Sequence, residues 1–178
     1  AIPELKSKKL NLSTISTSIP IDSSNINTSN WAEIASLVET NYDTYDSFII
    51  LHGTDTMAYT ASALSFMLEN LDKAIILTGS QIPIGERRTD AKENLITSVE
   101  IAKSGKINEV CIYFEDKLYR GNRTTKVNTE HFEAFLSPNF QIMAKAGVNI
   151  KYKTYLNNVT GKFKVHTQMS NDVAILKL

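Results

Sequence analysis

Phe48-Ile49-Ile50-Leu51-His52-Gly53-Thr54-Asp55-Thr56-Met57 runs from an all-apolar stretch through a polar loop into the start of a helical pattern. Four apolar residues without alternation suit a strand buried on both faces, the habit of parallel sheets. Met57, Ala61, Leu64, Leu68 and Leu71 then recur at helical spacing along one face. Downstream, Ala74-Ile75-Ile76-Leu77 predicts a second buried strand, followed by a turn-rich loop over 79–88. Asp90 caps a further helix carrying Ala91, Leu95, Val99 and Ala102, which Gly105 ends before a strand over 109–114. Upstream, Asn30 with Glu33 three residues on is a capping-box signature, and Trp31, Ile34, Ala35, Val38 and Tyr42 extend the helix to about 42.

Strand–helix–strand–helix–strand with short connections predicts an α/β fold: a mostly parallel sheet with helices on both faces, in three layers. Beyond residue 115 the pattern changes. Residues 117–129 are polar and basic, 130–146 are mixed, and 148–168 alternate as a hairpin region through Asn157-Asn158. The opening segment is Ser/Lys/Thr-rich, and its weak alternation around Leu10 to Ile15 fits a short strand or an arm. The final run, Val173 to Leu178, reads as a strand cut off without a closing turn.

Lys plus Arg and Asp plus Glu number 19 each in 178 residues, so the formal charge is zero. That balance argues against a broad grip on nucleic acid or an anionic membrane, which want a basic excess. No run of eighteen apolar residues occurs, so no membrane span is expected. Cys111 is the sole cysteine and sits in an apolar run, where a thiol is inert and a reducing, cytoplasmic compartment is the better fit. The three histidines have no metal-ligand spacing, and no phosphate-binding glycine motif is present, so neither metal nor nucleotide is expected.

In open α/β sheets, ligands gather at the carboxyl ends of the strands. Two loops fall there: His52 to Thr56, and Thr78-Gly79-Ser80-Gln81. The first concentrates hydroxyls and a carboxylate at a helix start, although Thr54 or Asp55 serves equally as an ordinary N-cap. The second reads equally as a polar turn. Arg120 to Lys126 is the one basic cluster; a lysine held near a Thr–Asp pair is able to relay a proton if burial lowers its pKa.

Residues 49–68, from Ile49-Ile50-Leu51-His52-Gly53-Thr54-Asp55-Thr56 to Leu68, resemble the second signature of type I (cytoplasmic-type) L-asparaginases almost letter for letter. The similarity continues in order through 77–83, Asn108-Glu109-Val110, 118–126 and Ser137-Pro138-Asn139. It implies hydrolysis of L-asparagine to L-aspartate and ammonia through a hydroxyl nucleophile, without metal or cofactor. By position it implies a catalytic group of Thr54, Asp55 and Lys126. It also implies a substrate-holding segment, Asp22-Ser23-Ser24, that works with Thr54 and Asp55 on the α-amino and α-carboxylate groups. It further implies a homo-oligomer, dimer or tetramer, in the complete protein.

The family's Thr-Gly-Gly-Thr motif, which carries its usual nucleophile, has no match here, and Thr14-Ile15-Ser16-Thr17 is not that motif. The expectation is therefore an N-terminal amidohydrolase domain over 1–178 without its first strand, mobile loop or C-terminal domain. Two other functions stay in view: a non-catalytic amino-acid-binding fragment, and a related amidohydrolase acting on glutamine or an amidated tRNA.

Overall fold

The parity of the apolar runs sorts the core into two halves. The computed structural model describes residues 2–5, 10–17, 20–129, 131–153 and 156–174. In chain order come α1 (Thr28–Asn41), β1 (Ser47–Leu51), α2 (Met57–Met67), β2 (Leu68–Glu69), β3 (Ala74–Thr78) and α3 (Ala91–Lys103). There follow β4 (Val110–Phe114), β5 (Lys117–Arg120), β6 (Thr125–Lys126), β7 (Phe135–Leu136), β8 (Ala144–Lys145), β9 (Lys151–Tyr152) and β10 (Lys164–Val165). On β3 and β4, Ile75, Leu77, Val110, Ile112 and Phe114 face the α1–α2 side, packed with Ala35, Val38, Met57 and Leu64. The alternate residues Ala74, Ile76, Cys111 and Tyr113 face the other way, against Ile101 and Ala102 of α3. Each large apolar side chain so buried contributes about 1.5–3 kcal/mol.

The main sheet has six strands in the order β1-β3-β4-β5-β8-β9. The β1–β3 and β3–β4 pairs are parallel, with Ser47 opposite Ala74 and Ile75 opposite Val110. From β4 onward the pairing turns antiparallel. Glu115 and Asp116 both have positive φ, 42° and 61°, the backbone of a two-residue hairpin turn. The expected α/β architecture is present, with helices on both faces of the parallel half and antiparallel pairing toward the C-terminus.

Several details differ from the expectations. α1 starts earlier because Asn27 is its cap: Asn27 Oδ1 accepts from the Ser29 and Asn30 N–H groups, and Asn30 Oδ1 accepts from the Asn27 N–H. Asn30 is the partner in the capping box rather than its cap. α2 ends at Met67, before the predicted Leu68 and Leu71, because Leu68–Glu69 pair with β10 and Asn70 takes φ 58°. β1 is only partly buried, with Leu51 66% exposed, because it pairs with β3 alone among the described strands. β3 and β4 are buried throughout.

The hairpin nearest the C-terminus is β8–β9; Asn157 is not its turn but clasps Asn108, exchanging hydrogen bonds at 2.8 Å in both directions. Leu10 to Ile15 form no strand. Of the final apolar run, residues 175–178 lie outside the described residues. Among the described residues no helix is long and apolar enough to cross a membrane.

Candidate active site

β1 delivers His52-Gly53 to the carboxyl edge of the sheet, and a turn over 54–56 leads into α2. Thr56 occupies the N-cap position but makes no side-chain cap bond. Its hydroxyl donates instead to the Ser23 carbonyl at 2.6 Å. That bond, with the close approach of Gly53, seats the 22–24 segment on the loop: a Cβ on Gly53 would lie 2.5 Å from Ser23 Oγ.

After β5, a 3-10 turn over Gly121–Arg123 passes α2 and returns the chain as β6, which ends on Lys126. Lys126 Nζ donates to Thr54 Oγ1 at 2.8 Å and to Asp55 Oδ1 at 2.8 Å. The lysine side chain is 13% exposed and that of Asp55 60%, so the ammonium is sheltered while its counter-charge faces solvent. The Thr54 hydroxyl in turn donates to Gln81 Oε1 at 3.0 Å. Gln81 is tethered at its other end, where Nε2 donates to the Thr129 and His131 carbonyls at 3.0 and 3.1 Å.

The structure thus brings Thr54, Asp55 and Lys126 into direct contact across some seventy residues of sequence. Neither Thr54 nor Asp55 is spent on a helix cap, which closes the ordinary-cap reading of the loop. Ser23 is buried and joined to this loop through Thr56 and Gly53. Asp22 and Ser24 bond to each other: the Asp22 carboxylate accepts the Ser24 N–H and hydroxyl at 2.9 Å each, which lowers its pKa below the ordinary carboxylate value. Gln81 is the participant that pattern reading missed. Its loop at the end of β3 was the available signal. A polar cleft of about 360 Å³ between Asn70, Asn108, Arg120 and Asn157 involves none of these side chains.

Behind the loop, one directed chain of hydrogen bonds ties three elements together. His52 Nδ1 meets the Gly53 carbonyl at 2.7 Å, and a carbonyl only accepts, so Nδ1 carries the proton. Nε2 then accepts from the Thr60 hydroxyl at 2.8 Å, and Thr60 Oγ1 accepts from Trp31 Nε1 at 2.9 Å. Burial lowers the pKa of His52, opposed by the bond to Gly53. The neutral ring is therefore the folded form, whereas the unfolded chain takes up a proton near the ordinary value of about 6.5. The His52 contribution to stability is full above that value and falls as pH drops through it toward the lower folded pKa. Urea midpoints at pH 7.5 and 5.5 are expected to show this loss. A His52→Gln variant is expected to lose part of the slope, and an unchanged slope would remove His52 as its source.

Over residues 2–158 the sequence matches the family described as asparaginase, N-terminal. The chain belongs to the asparaginase family. It is 53% identical over 131 residues to L-asparaginase 1 of Escherichia coli K12, covering 74% of this chain and 39% of that protein. It is also 44% identical over 160 residues to the 60 kDa lysophospholipase of Mus musculus, covering 88% of this chain and 28% of that protein. The solved L-asparaginase I of Vibrio cholerae superposes with a TM-score of 0.87 at 45% identity, over 93% of this chain and 52% of its own. The chain thus spans about half, or less, of the proteins it matches, and its likeness to type I asparaginases stands in both sequence and fold.

Proposed function

We propose that this chain carries the Thr–Asp–Lys group and the substrate-holding segment of an enzyme that hydrolyses L-asparagine to L-aspartate and ammonia. The observation that carries this reading is Lys126 Nζ at 2.8 Å from both Thr54 Oγ1 and Asp55 Oδ1. In this scheme Asp55 takes the α-ammonium of the substrate, with Asp22, Ser23 and Ser24 lining the side that receives its α-amino and α-carboxylate groups. Fixing both charged ends holds the side-chain amide at one place, so binding energy serves orientation.

With the ammonium on Asp55, Lys126 is left facing the Thr54 hydroxyl. When water attacks the amide carbon, the Lys126 ammonium, held at the Thr54 hydroxyl, gives a proton to the departing nitrogen as the C–N bond breaks. The proton lost by the water restores the ammonium, so that ammonia and the carboxylic acid leave. We further propose that residues 1–178 form one N-terminal amidohydrolase domain of a cytoplasmic homo-oligomer. Asparagine is favoured over glutamine or an amidated tRNA because the matched signatures are those of type I asparaginases.

The test is ammonia release from L-asparagine by the purified protein and its Thr54→Ala variant, with intact mass recorded. Turnover that falls by about 10²-fold or more in the variant supports the proposal. Binding of L-aspartate with no turnover in either protein would favour the amino-acid-binding reading instead.

A further inference from the structure

Asp90 stands at the N-cap position of α3, with φ −85° and ψ −10°, yet its side chain caps none of the helix's backbone N–H groups. The Ala91 N–H goes to Thr89 Oγ1 at 3.0 Å instead. The Asp90 carboxylate turns toward the loop after β3. Its two oxygens accept the Gln81 N–H at 3.1 and 3.0 Å, and one of them accepts the Ile82 N–H at 3.1 Å. Asn94, one turn further along α3 and 3% exposed, donates to Asp90 Oδ2 at 3.1 Å and to the Gly79 carbonyl at 3.0 Å. Asn94 Oδ1 accepts the Glu115 N–H at 3.2 Å, so the same helix turn reaches the ends of both β3 and β4.

An aspartate at an N-cap ordinarily stabilises its helix. A carboxylate that forgoes this for a neighbouring loop breaks a local rule, and such breaks concentrate at functional sites. We propose that Asp90 is a positioning residue for Thr54, acting through Gln81; this rests on the hydrolysis proposed above. The carboxylate pins two successive N–H groups, so the Gln81 side chain leaves from a fixed point. Gln81 Oε1 then accepts a hydrogen bond from the Thr54 hydroxyl, which leaves a Thr54 lone pair facing Lys126. A charged acceptor makes bonds roughly twice as strong as a neutral one, so an amide in its place holds the loop less firmly.

Two readings of Asp90 separate by measurement. If it only fastens α3 to the sheet, its loss and that of Gln81 act independently. If it works through Gln81, they do not. Asp90→Asn is expected to lower kcat about 10- to 100-fold with KM within about threefold, the scale of a small misplacement of a reacting group. In a Gln81→Ala background the same change is expected to shift kcat by less than about threefold. An equal fall in both backgrounds, or a fall confined to KM, overturns the proposal.

Amide exchange gives an arm free of activity. The Gln81 and Ile82 N–H groups are expected to exchange about tenfold faster in the variant, with the Thr54 methyl resonance shifted and the interior of α3 unchanged. Unaltered exchange at Gln81 and Ile82, or an unmoved Thr54 resonance, overturns the proposal whether or not the protein turns over. Wild-type protein silent toward L-asparagine sinks the hydrolysis and leaves this arm to decide the positioning. Should Asp90→Asn fold poorly, Asp90→Ser, with a hydroxyl suited to capping α3, gives the same readouts.

Discussion

Replacing Lys126 by methionine is expected to lower ammonia release from L-asparagine by about 10²–10³-fold, the usual cost of removing one charged donor from a sheltered site. Methionine keeps the length of the side chain and fills the same space, so the substitution removes chemistry more than packing. Thr54 retains its bond to Gln81, and Asp55, largely exposed, gains water in place of the ammonium. The fall should therefore appear in kcat and kcat/KM together, while the affinity for L-aspartate stays within about threefold. A variant that turns over at the wild-type rate would strip Lys126 of its role. One that loses only affinity would make it a substrate clamp.

The second large effect concerns folding. A methyl on Gly79 would lie 2.2 Å from the His52 carbonyl oxygen and 3.0 Å from Met57 Cε. The first neighbour is backbone, and it belongs to the segment where the Thr78 carbonyl accepts the His52 N–H at 2.9 Å, continuing the β1–β3 ladder. Neither strand can move away without breaking that ladder. Overpacking usually costs about 1–3 kcal/mol, and a clash against backbone belongs at or above the top of that range. For a chain of this size about 3 kcal/mol corresponds to roughly 6–12 °C in Tm. Gly85, which has nothing within 4 Å of the site of a Cβ, is the control. Gly79→Ala melting within about 2 °C of Gly85→Ala would refute the argument.

The parallel half of the fold is legible in the sequence because its strands are short apolar runs bounded by turn residues and its helices repeat at 3.6. Thr54, Asp55 and Lys126 are legible for a different reason, as letters of a long ordered resemblance; no spacing rule brings residue 126 to residue 54. What stayed hidden is polar. The buried face of α3 includes Asn94, Thr97 and Ser98, which an apolar periodicity passes over. Asp90 was readable as a helix cap but not as a support for the loop beside it. Nor does any local pattern tell that β10 pairs with β2, since a two-residue strand carries no periodicity. The start of α1 slipped because Asn27 and Asn30 are equally good caps, and only the Asn27–Asn30 exchange of bonds decides between them.

A strand that is apolar on both faces has little reason, from hydrophobicity alone, to prefer one alignment over its neighbour. Sliding β4 by one residue would exchange Ile112 and Phe114 for Cys111 and Tyr113 and still bury every side chain. The alignment has to come from directional contacts at its margins. The Thr78 hydroxyl reaches the Tyr113 carbonyl at 2.9 Å across the parallel pair. At the other end, Arg120 grips Glu109 with two bonds, at 2.5 and 2.9 Å, across the antiparallel one. The polar side chains on the strands and turn flanking β4 thus work as alignment pins. They fix which of two nearly equal arrangements is native, and with it the distance from the sheet to Lys126 six residues beyond the grip.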